Sequence, residues 1–334
     1  MFFNFVDAAV PQATTQEGTD ETQLPRAAQL APVADRPIRP ARPYTPPSAG
    51  PVLLVAEIVP ELTSPPLPAP VRRRHFADVK FAVASRDPLP NGDDEDQDDH
   101  AAIHDSVFGA SDLEKGVFEG GLKTWECASD LAKWIASAVT TLLPAANNGS
   151  GLRILELGCG SALPSLALVS AHVPIQRLTL QDYNPQVLDL VTAPNVLLAA
   201  SPVGDMDERL TYEANLDWAD MPGWVNFVSG DWSHMVAGDA TGDDLQLLPQ
   251  YDLIMTSETI YELSSTPPLL AVIESRLAPG GVALVAAKSV YFGVGGSLSD
   301  FVDLVVDRGV LKARIVYTVV TGGVRREILE LTCK

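Results

Sequence analysis

Gly158 and Gly160 flank Cys159 directly after the apolar alternation at 153–157 (RILEL), and Glu156 stands two residues before the first of them. A strand that turns at such an elbow brings bare backbone close to a ligand, where a Cβ would collide. Asp182 closes a second strand-like run (RLTLQD) 24 residues beyond Gly158, followed by Tyr183 and Asn184. A carboxylate at that distance and position is what a ribose hydroxyl pair needs. Two further strand ends carry Gly230, Asp231 and Trp232, and then Ser257, Glu258, Thr259, Ile260 and Tyr261. A carboxylate next to an indole, as in Asp231-Trp232, suits adenine: one accepts from the exocyclic amino group while the other covers a ring face. Together these residues point to a nucleoside-containing cofactor over the carboxyl ends of parallel strands.

The dinucleotide fingerprint wants a third glycine at position 163, which here is Leu163, followed by Pro164. A pyrophosphate also needs an open helix N-terminus, and these two side chains fill that space. S-adenosylmethionine carries no phosphate, so E-x-G-x-G without the third glycine suits it better.

Parallel strands and intervening helices must hold these residues. From about 101 onward, strand and helix patterns alternate as in an α/β sheet. Strands are expected at 153–157, 177–181, 225–229, 251–256, 281–287, 312–320 and 325–332, and helices at 126–143, 162–171, 185–199, 267–277 and 298–308. Thr321-Gly322-Gly323 joins the last two strands tightly enough for an antiparallel hairpin. The fold class is therefore α/β: a seven-stranded, mostly parallel Rossmann-like sheet with a C-terminal antiparallel hairpin, the layout of class I methyltransferases.

Composition divides the 334 residues at about 100. Sixteen of the 27 prolines lie in 1–100, and 93–99 is almost wholly acidic. Such composition buries too little apolar surface to offset chain entropy. Residues 1–100 are thus expected to be a disordered Pro-rich and acidic region, with 51–59 (PVLLVAEIV) a short docking segment, and 101–334 the catalytic domain. The first region carries 9 basic and 15 acidic side chains, a net of −6; the second, with 14 and 28, has a net of −14. An acidic surface repels nucleic acid and attracts basic partners, so direct nucleic-acid binding is not expected. The N-terminus lacks a basic n-region and no run of 18 apolar residues occurs, so neither secretion nor a membrane span is expected. Three scattered cysteines and five histidines show no metal spacing, and a reducing compartment, cytoplasm and nucleus, is expected, with Arg72-Arg73-Arg74 as a short nuclear-import patch.

Over 104–334 the chain resembles the histidine protein methyltransferases, a branch of the seven-strand class. The resemblance rests on GGLKTWEC at 120–127, ELGCGSALP at 156–164, QDYN at 181–184 followed by APNV at 193–196, SGDW at 229–232, TSETIY at 256–261 and AAKSVYFGVGG at 286–296. It implies methyl transfer from S-adenosylmethionine to a histidine ring nitrogen of a basic protein, ribosomal protein three of the large subunit; separately, a monomer is expected. It also implies that Lys123, Thr124, Trp125, Glu126 and Cys127 cross the methionine end of the cofactor, Gly158 lies under it, and Glu156 and Gly160 belong to its elbow. Asp182, Tyr183 and Asn184 would hold the ribose, Gly230, Asp231 and Trp232 the adenine, and Ser257 the donor side of the acceptor pocket. The chain departs from the pattern at Ser289 and Val290, and 200–220 resembles an insertion.

Imidazole, with a reference pKa near 6.5, is mostly neutral at about pH 7 and needs no strong base. It needs an acceptor for its other ring N–H, for which Glu258, Asn184 and the backbone near Ser257 are candidates. Two alternatives stay open. Glu258-Thr259-Ile260-Tyr261 also fits the acidic-x-x-aromatic spacing of related lysine methyltransferases, and the fold also serves as a cofactor-binding module without turnover.

Overall fold

The computed structural model describes residues 39–62, 67–84, 120–143, 150–201, 211–237, 248–291 and 295–334, with the single positions 104 and 245. The strands are β1 (Arg42–Tyr44), β2 (Pro51–Ile58), β3 (Arg72–Arg74), β4 (Leu152–Leu157), β5 (Ile175–Asp182) and β6 (Thr211–Asp217). They continue as β7 (Val225–Ser229), β8 (Tyr251–Ser257), β9 (Leu277–Lys288), β10 (Leu311–Thr321) and β11 (Val324–Cys333). The helices are α1 (Phe76–Ala84), α2 (Glu126–Leu142), α3 (Leu163–Ser170), α4 (Ala193–Ala200), α5 (Thr266–Arg276) and α6 (Leu298–Arg308).

The main sheet runs β1-β7-β5-β4-β8-β9-β11-β10. Strands β7, β5, β4, β8 and β9 are parallel. β11 is antiparallel to β9, and β10 to β11, which is the expected C-terminal hairpin. Strand β4 is buried on both faces, as a central parallel strand must be. Side chains of α2, α3 and α4, among them Leu131, Ile135, Leu166 and Val196, cover one face. Leu269 and Ile273 of α5, with Phe301 and Val305 of α6, cover the other.

The sheet has eight strands, one more than the periodicity shows. The extra one is β1, which pairs antiparallel with β7 (Arg42↔Ser229, Tyr44↔Phe227). Pro43 in its middle is tolerated because an edge strand needs hydrogen bonds on one side only. Tyr44 sets its ring edge-on to Phe227, with centroids 6.2 Å apart, and its hydroxyl donates to Asp189 at 3.0 Å.

The expected boundary at 101 is corrected by the same region. Residues 42–62 and 67–84 are built into the domain: β2 pairs antiparallel with both β3 and β6 in a second, three-stranded sheet. Leu54 and Ala56 of β2 are buried against Leu198 and Ala214. Val79 and Val83 of α1 pack on Leu122, Val187 and Val191. The apolar segment at 51–59 therefore docks within its own chain, with β2 pairing onto β6 in the insertion-like stretch. The arginines at 72–74 are not an exposed import patch. Arg72 donates to Ser201 O at 2.6 Å, Arg73 pairs with Glu57 at 2.7 Å, and Arg74 pairs with Asp78 at 2.7 Å. The acidic run at 93–99 lies outside the described residues.

One expected helix is broken. In place of a continuous 185–199 there is a turn at Pro185–Val187, a π-helical turn at Leu188–Thr192, and then α4. Pro194 cannot donate in the first turn of α4, and the π turn sets Thr192 on the glycine elbow.

Candidate active site

The carboxyl ends of β4, β5, β7 and β8 meet at one cleft, which the strip before α2 also lines. The elbow contributes Gly158 and Gly160, and the end of β5 contributes Asp182 and Tyr183. After β7 come Gly230, Asp231 and Trp232, and at the end of β8 Ser257 and Glu258. The strip supplies Lys123, Thr124 and Trp125.

Hydrogen bonds to the ends of β5 shape the elbow. Asp182 Oδ2 accepts the Gly160 amide at 2.9 Å, and Gln181 Oε1 accepts the Gly158 amide at 3.0 Å. From the other side, Thr192 donates to Gly160 O at 2.6 Å and Asn195 Nδ2 to Ser161 O at 2.9 Å. The strip is drawn down onto it by Thr124, whose hydroxyl donates to Ser161 Oγ at 2.8 Å. Gly121 permits that approach, since a Cβ there would lie 2.9 Å from Val187 Cγ1 and 3.3 Å from Asp182 Oδ2.

Four expected residues do not line the cleft. Glu156 is buried beneath it, its Oε2 accepting from both the amide (3.1 Å) and the hydroxyl of Ser165. Burial pushes its carboxyl up to about 8, against the two Ser165 hydrogen bonds. Asn184 is fully buried before the Pro185 turn, with its amide 3.4 Å from Asp182 Oδ1, so its side chain does not meet a ring bound in the cleft. Cys127 is buried and contributes its backbone N–H to Glu258 Oε1 at 3.3 Å. Burial and the Glu258 charge push its thiol far above the ordinary range, so it stays protonated. Glu126 turns to Lys288, 3.1 Å away, with 59% of its side chain exposed.

Among the described residues, Glu258 is the one carboxylate lining the β8 side of the cleft. It adopts a left-handed backbone (φ 58°) immediately after the strand, with its amide donating to Ala286 O at 2.9 Å. A non-glycine residue rarely adopts this conformation, and here the side chain reaches the Cys127 amide. Lys288 Nζ lies 3.4 Å from Glu258 Oε1.

Some residues that build the site were not foreseen. Gln181 belongs to the QDYN motif, and a polar residue near the end of a buried strand is the available signal. The roles of Thr192 and Asn195 depend on the π turn. The N-terminal stretch also enters: Arg39 O accepts the Asp231 amide at 3.0 Å, its guanidinium lies 5.4 Å from the Tyr183 ring centroid, and Ala41 N–H donates to His234 Nδ1 at 3.3 Å.

The donor set fits S-adenosylmethionine. A Cβ at Gly158 would lie 2.6 Å from Thr259 Cγ2, so only glycine leaves the elbow open, and its φ of 59° favours glycine too. Asp182 presents a carboxylate for a diol, and Trp232 and Asp231 present a ring face and an acceptor. A phosphate is poorly served: Ala162, Leu163 and Pro164 are buried at the start of α3, and Glu156 already occupies the Ser165 amide.

A parallel sheet in this order, with a glycine elbow and acidic strand ends around one cleft, defines a class I methyltransferase fold. A family model described as lysine methyltransferase matches residues 112–241. Histidine protein methyltransferase 1 of Schizosaccharomyces pombe is 34% identical over 252 residues, which are 69% of this chain and 67% of that protein. The histidine protein methyltransferase 1 homolog of Bos taurus is 34% identical over 238 residues, 70% of this chain and 60% of its own length. The homolog of Dictyostelium discoideum is 30% identical, with 69% and 63% covered. The chain thus spans about 60% of the length of several relatives that it matches. Among solved structures, magnesium protoporphyrin IX methyltransferase from Synechocystis PCC 6803 with bound SAH is 12% identical, covering 77% of this chain and 94% of that one at a TM-score of 0.40. The chain belongs to the histidine protein methyltransferase family.

Proposed function

We propose that the chain methylates a ring nitrogen of a histidine in a basic protein with S-adenosylmethionine as donor, the acceptor being ribosomal protein three of the large subunit, as the resemblance implies. The observation that carries this reading is Glu258. It is a cleft-lining carboxylate, steadied by a backbone N–H and by an ammonium, on the side opposite Asp182. The donor supplies an electrophilic methyl group on a sulfonium that is already a good leaving group, so alignment of the nucleophile supplies most of the catalysis. Asp182 would hold the ribose, Asp231 and Trp232 the adenine, and the Gly158 elbow with Trp125 the methionine end. Glu258 would accept the N–H of the ring nitrogen that does not react, fixing the tautomer so that the other lone pair faces the methyl group. No general base is required, because the acceptor enters neutral.

A lysine acceptor is the second reading, favoured by the Glu258-x-x-Tyr261 spacing and by the description of the family model. That match ends at residue 241, before the 257–261 segment that would face the acceptor, so it bears on the cofactor half of the cleft. Incubating the protein with isotopically labelled donor and a basic ribosomal extract, followed by amino-acid analysis, separates the readings. Labelled methyl-histidine is expected; methyl-lysine, or no label, would overturn the proposal.

A further inference from the structure

Lys288, at the end of β9, holds together three walls of the acceptor side. Its Nζ lies 3.1 Å from Glu126 Oε2 on α2 and 3.4 Å from Glu258 Oε1 after β8. The same ammonium stands 5.4 Å from the centroid of the Trp125 ring and 6.0 Å from that of Tyr291. Such distances place it within cation–π reach of both rings. Lys288 does not line the cleft itself; it stands behind the two side chains that do, Trp125 and Glu258.

The surrounding charges make this cation consequential. On α2, Glu126 and Cys127 face it, and Asp130 further along is matched by Arg326 of β11 at 2.6 Å. Glu327 of β11 is matched by Arg325 at 2.7 Å. Burial and then the Glu258 charge push the Tyr291 hydroxyl up, so it is neutral, as is the Cys127 thiol. Lys123 belongs to the strip two residues before Trp125, and Asp182 and Asp231 serve the cofactor half. Two carboxylates, Glu126 and Glu258, therefore share the Lys288 ammonium.

We propose that Lys288 is a positioning residue that neutralises Glu258 and Glu126 and thereby keeps an incoming histidine ring in its neutral, reactive form. The inference rests on the histidine reading above. A carboxylate within about 4–6 Å of an imidazole favours its cationic form, by about 1–3 pKa units, and an imidazolium has no lone pair to offer. The carboxylate that best fixes the ring tautomer would thus also disarm the ring. A cation bound to the far side of that carboxylate removes the conflict while leaving an oxygen to accept the ring N–H. Burial pulls the Lys288 ammonium down, but Glu258 and Glu126 outweigh it and hold it charged.

The test is the rate of methyl-histidine formation from pH 5.5 to 9 (about the range that brackets the imidazole pKa) for the intact protein and for Lys288→Met and Lys288→Arg. Each is given labelled S-adenosylmethionine and a saturating basic ribosomal protein fraction. In Lys288→Met the midpoint of the acid limb is expected to rise by about one pH unit. It would then be roughly tenfold slower near pH 6 and close to the unaltered protein near pH 8.5, while Lys288→Arg keeps the original profile. A uniform loss at every pH, or an unmoved limb, overturns the inference. Cofactor affinity by calorimetry reports folding, and Lys288→Gln is measured in the same way should the Met variant fail to fold. Methyl-histidine from the unaltered protein with an unmoved limb in the variants removes the role of Lys288 alone. Methyl-lysine, or no product, from the unaltered protein removes the histidine reading and this inference with it.

Discussion

Gln181 fastens Trp232 to the glycine elbow. Its Oε1 accepts the Trp232 indole N–H at 2.7 Å and the Gly158 amide at 3.0 Å, while its Nε2 donates to Gly230 O at 2.7 Å. One buried amide thus sets the spacing between the proposed adenine wall and the backbone beneath the methionine end.

Gln181→Leu keeps the size and removes all three bonds. A buried polar group left without its partner costs about 1–3 kcal/mol, so affinity for S-adenosylmethionine should fall at least tenfold, with a melting temperature several degrees lower. Trp232→Phe breaks one bond only and should weaken binding less. Calorimetry giving an unchanged dissociation constant for Gln181→Leu would show that these bonds do not shape the cofactor site.

Removing residues 1–100 should unfold or aggregate the protein. The cut takes away β1, β2, β3 and α1, which exposes one edge of β7 and removes β2, the partner strand of β6. The cut also deletes the buried Leu54, Val79 and Val83 and uncovers Leu198, Ala214, Leu122, Val187 and Val191, against which they pack, at about 1.5–3 kcal/mol for each large side chain. A stable, monomeric, active protein beginning at 101 would contradict the packing described here.

The same segment shows where residue patterns stop being informative. The five parallel strands and the two of the hairpin were legible because parallel α/β sheets alternate periods of 2 and 3.6 and bury long apolar runs. Strands β1 and β3 have three residues each, one with a proline in the middle and one entirely arginine, too short for any period to show. The apolar character of 51–58 was plain, but its partner strand lies at 211–217, and nothing local specifies a pairing across more than 150 residues. The cleft divides in the same way. Strand-end residues such as Gly158, Asp182 and Asp231 were readable from their positions, because topology alone sends them to one crevice. The inward turn of Asn184 and the meeting of Lys288 with Glu126 and Glu258 come from long-range packing and were not.

Glu156 should make stability fall as pH rises. Its carboxyl is raised from about 4.5 to about 8 by burial, so between those values the native protein holds a proton that the unfolded chain releases. Below about 4.5 both states are protonated and the residue contributes no slope; above it, stability declines until pH passes about 8. Glu156→Gln imitates the protonated acid and cannot titrate. Its melting temperature should therefore decline less between pH 5 and 8 than that of the unaltered protein, over about the window the two pKa values bracket. Parallel curves would mean that Glu156 is ionised in the fold.

Glu258→Gln separates chemistry from architecture. Glutamine retains a carbonyl to accept the Cys127 N–H and tolerates the left-handed backbone about as well as glutamate, so the fold and the cofactor affinity should change less than twofold. What is lost is the charge on the acceptor of the ring N–H. Hydrogen bonds to charged groups contribute about 1.5–3 kcal/mol against about 0.5–1.5 for neutral ones, so methyl-histidine formation near pH 7.5 should slow about 5- to 10-fold. The acid limb should move to lower pH, opposite to its direction in Lys288→Met, because one of the two carboxylates that favour imidazolium has been removed while the ammonium stays. A rate within twofold of the unaltered protein, with the same limb, would take Glu258 out of the acceptor site. An equal loss in cofactor affinity would place it on the donor side instead.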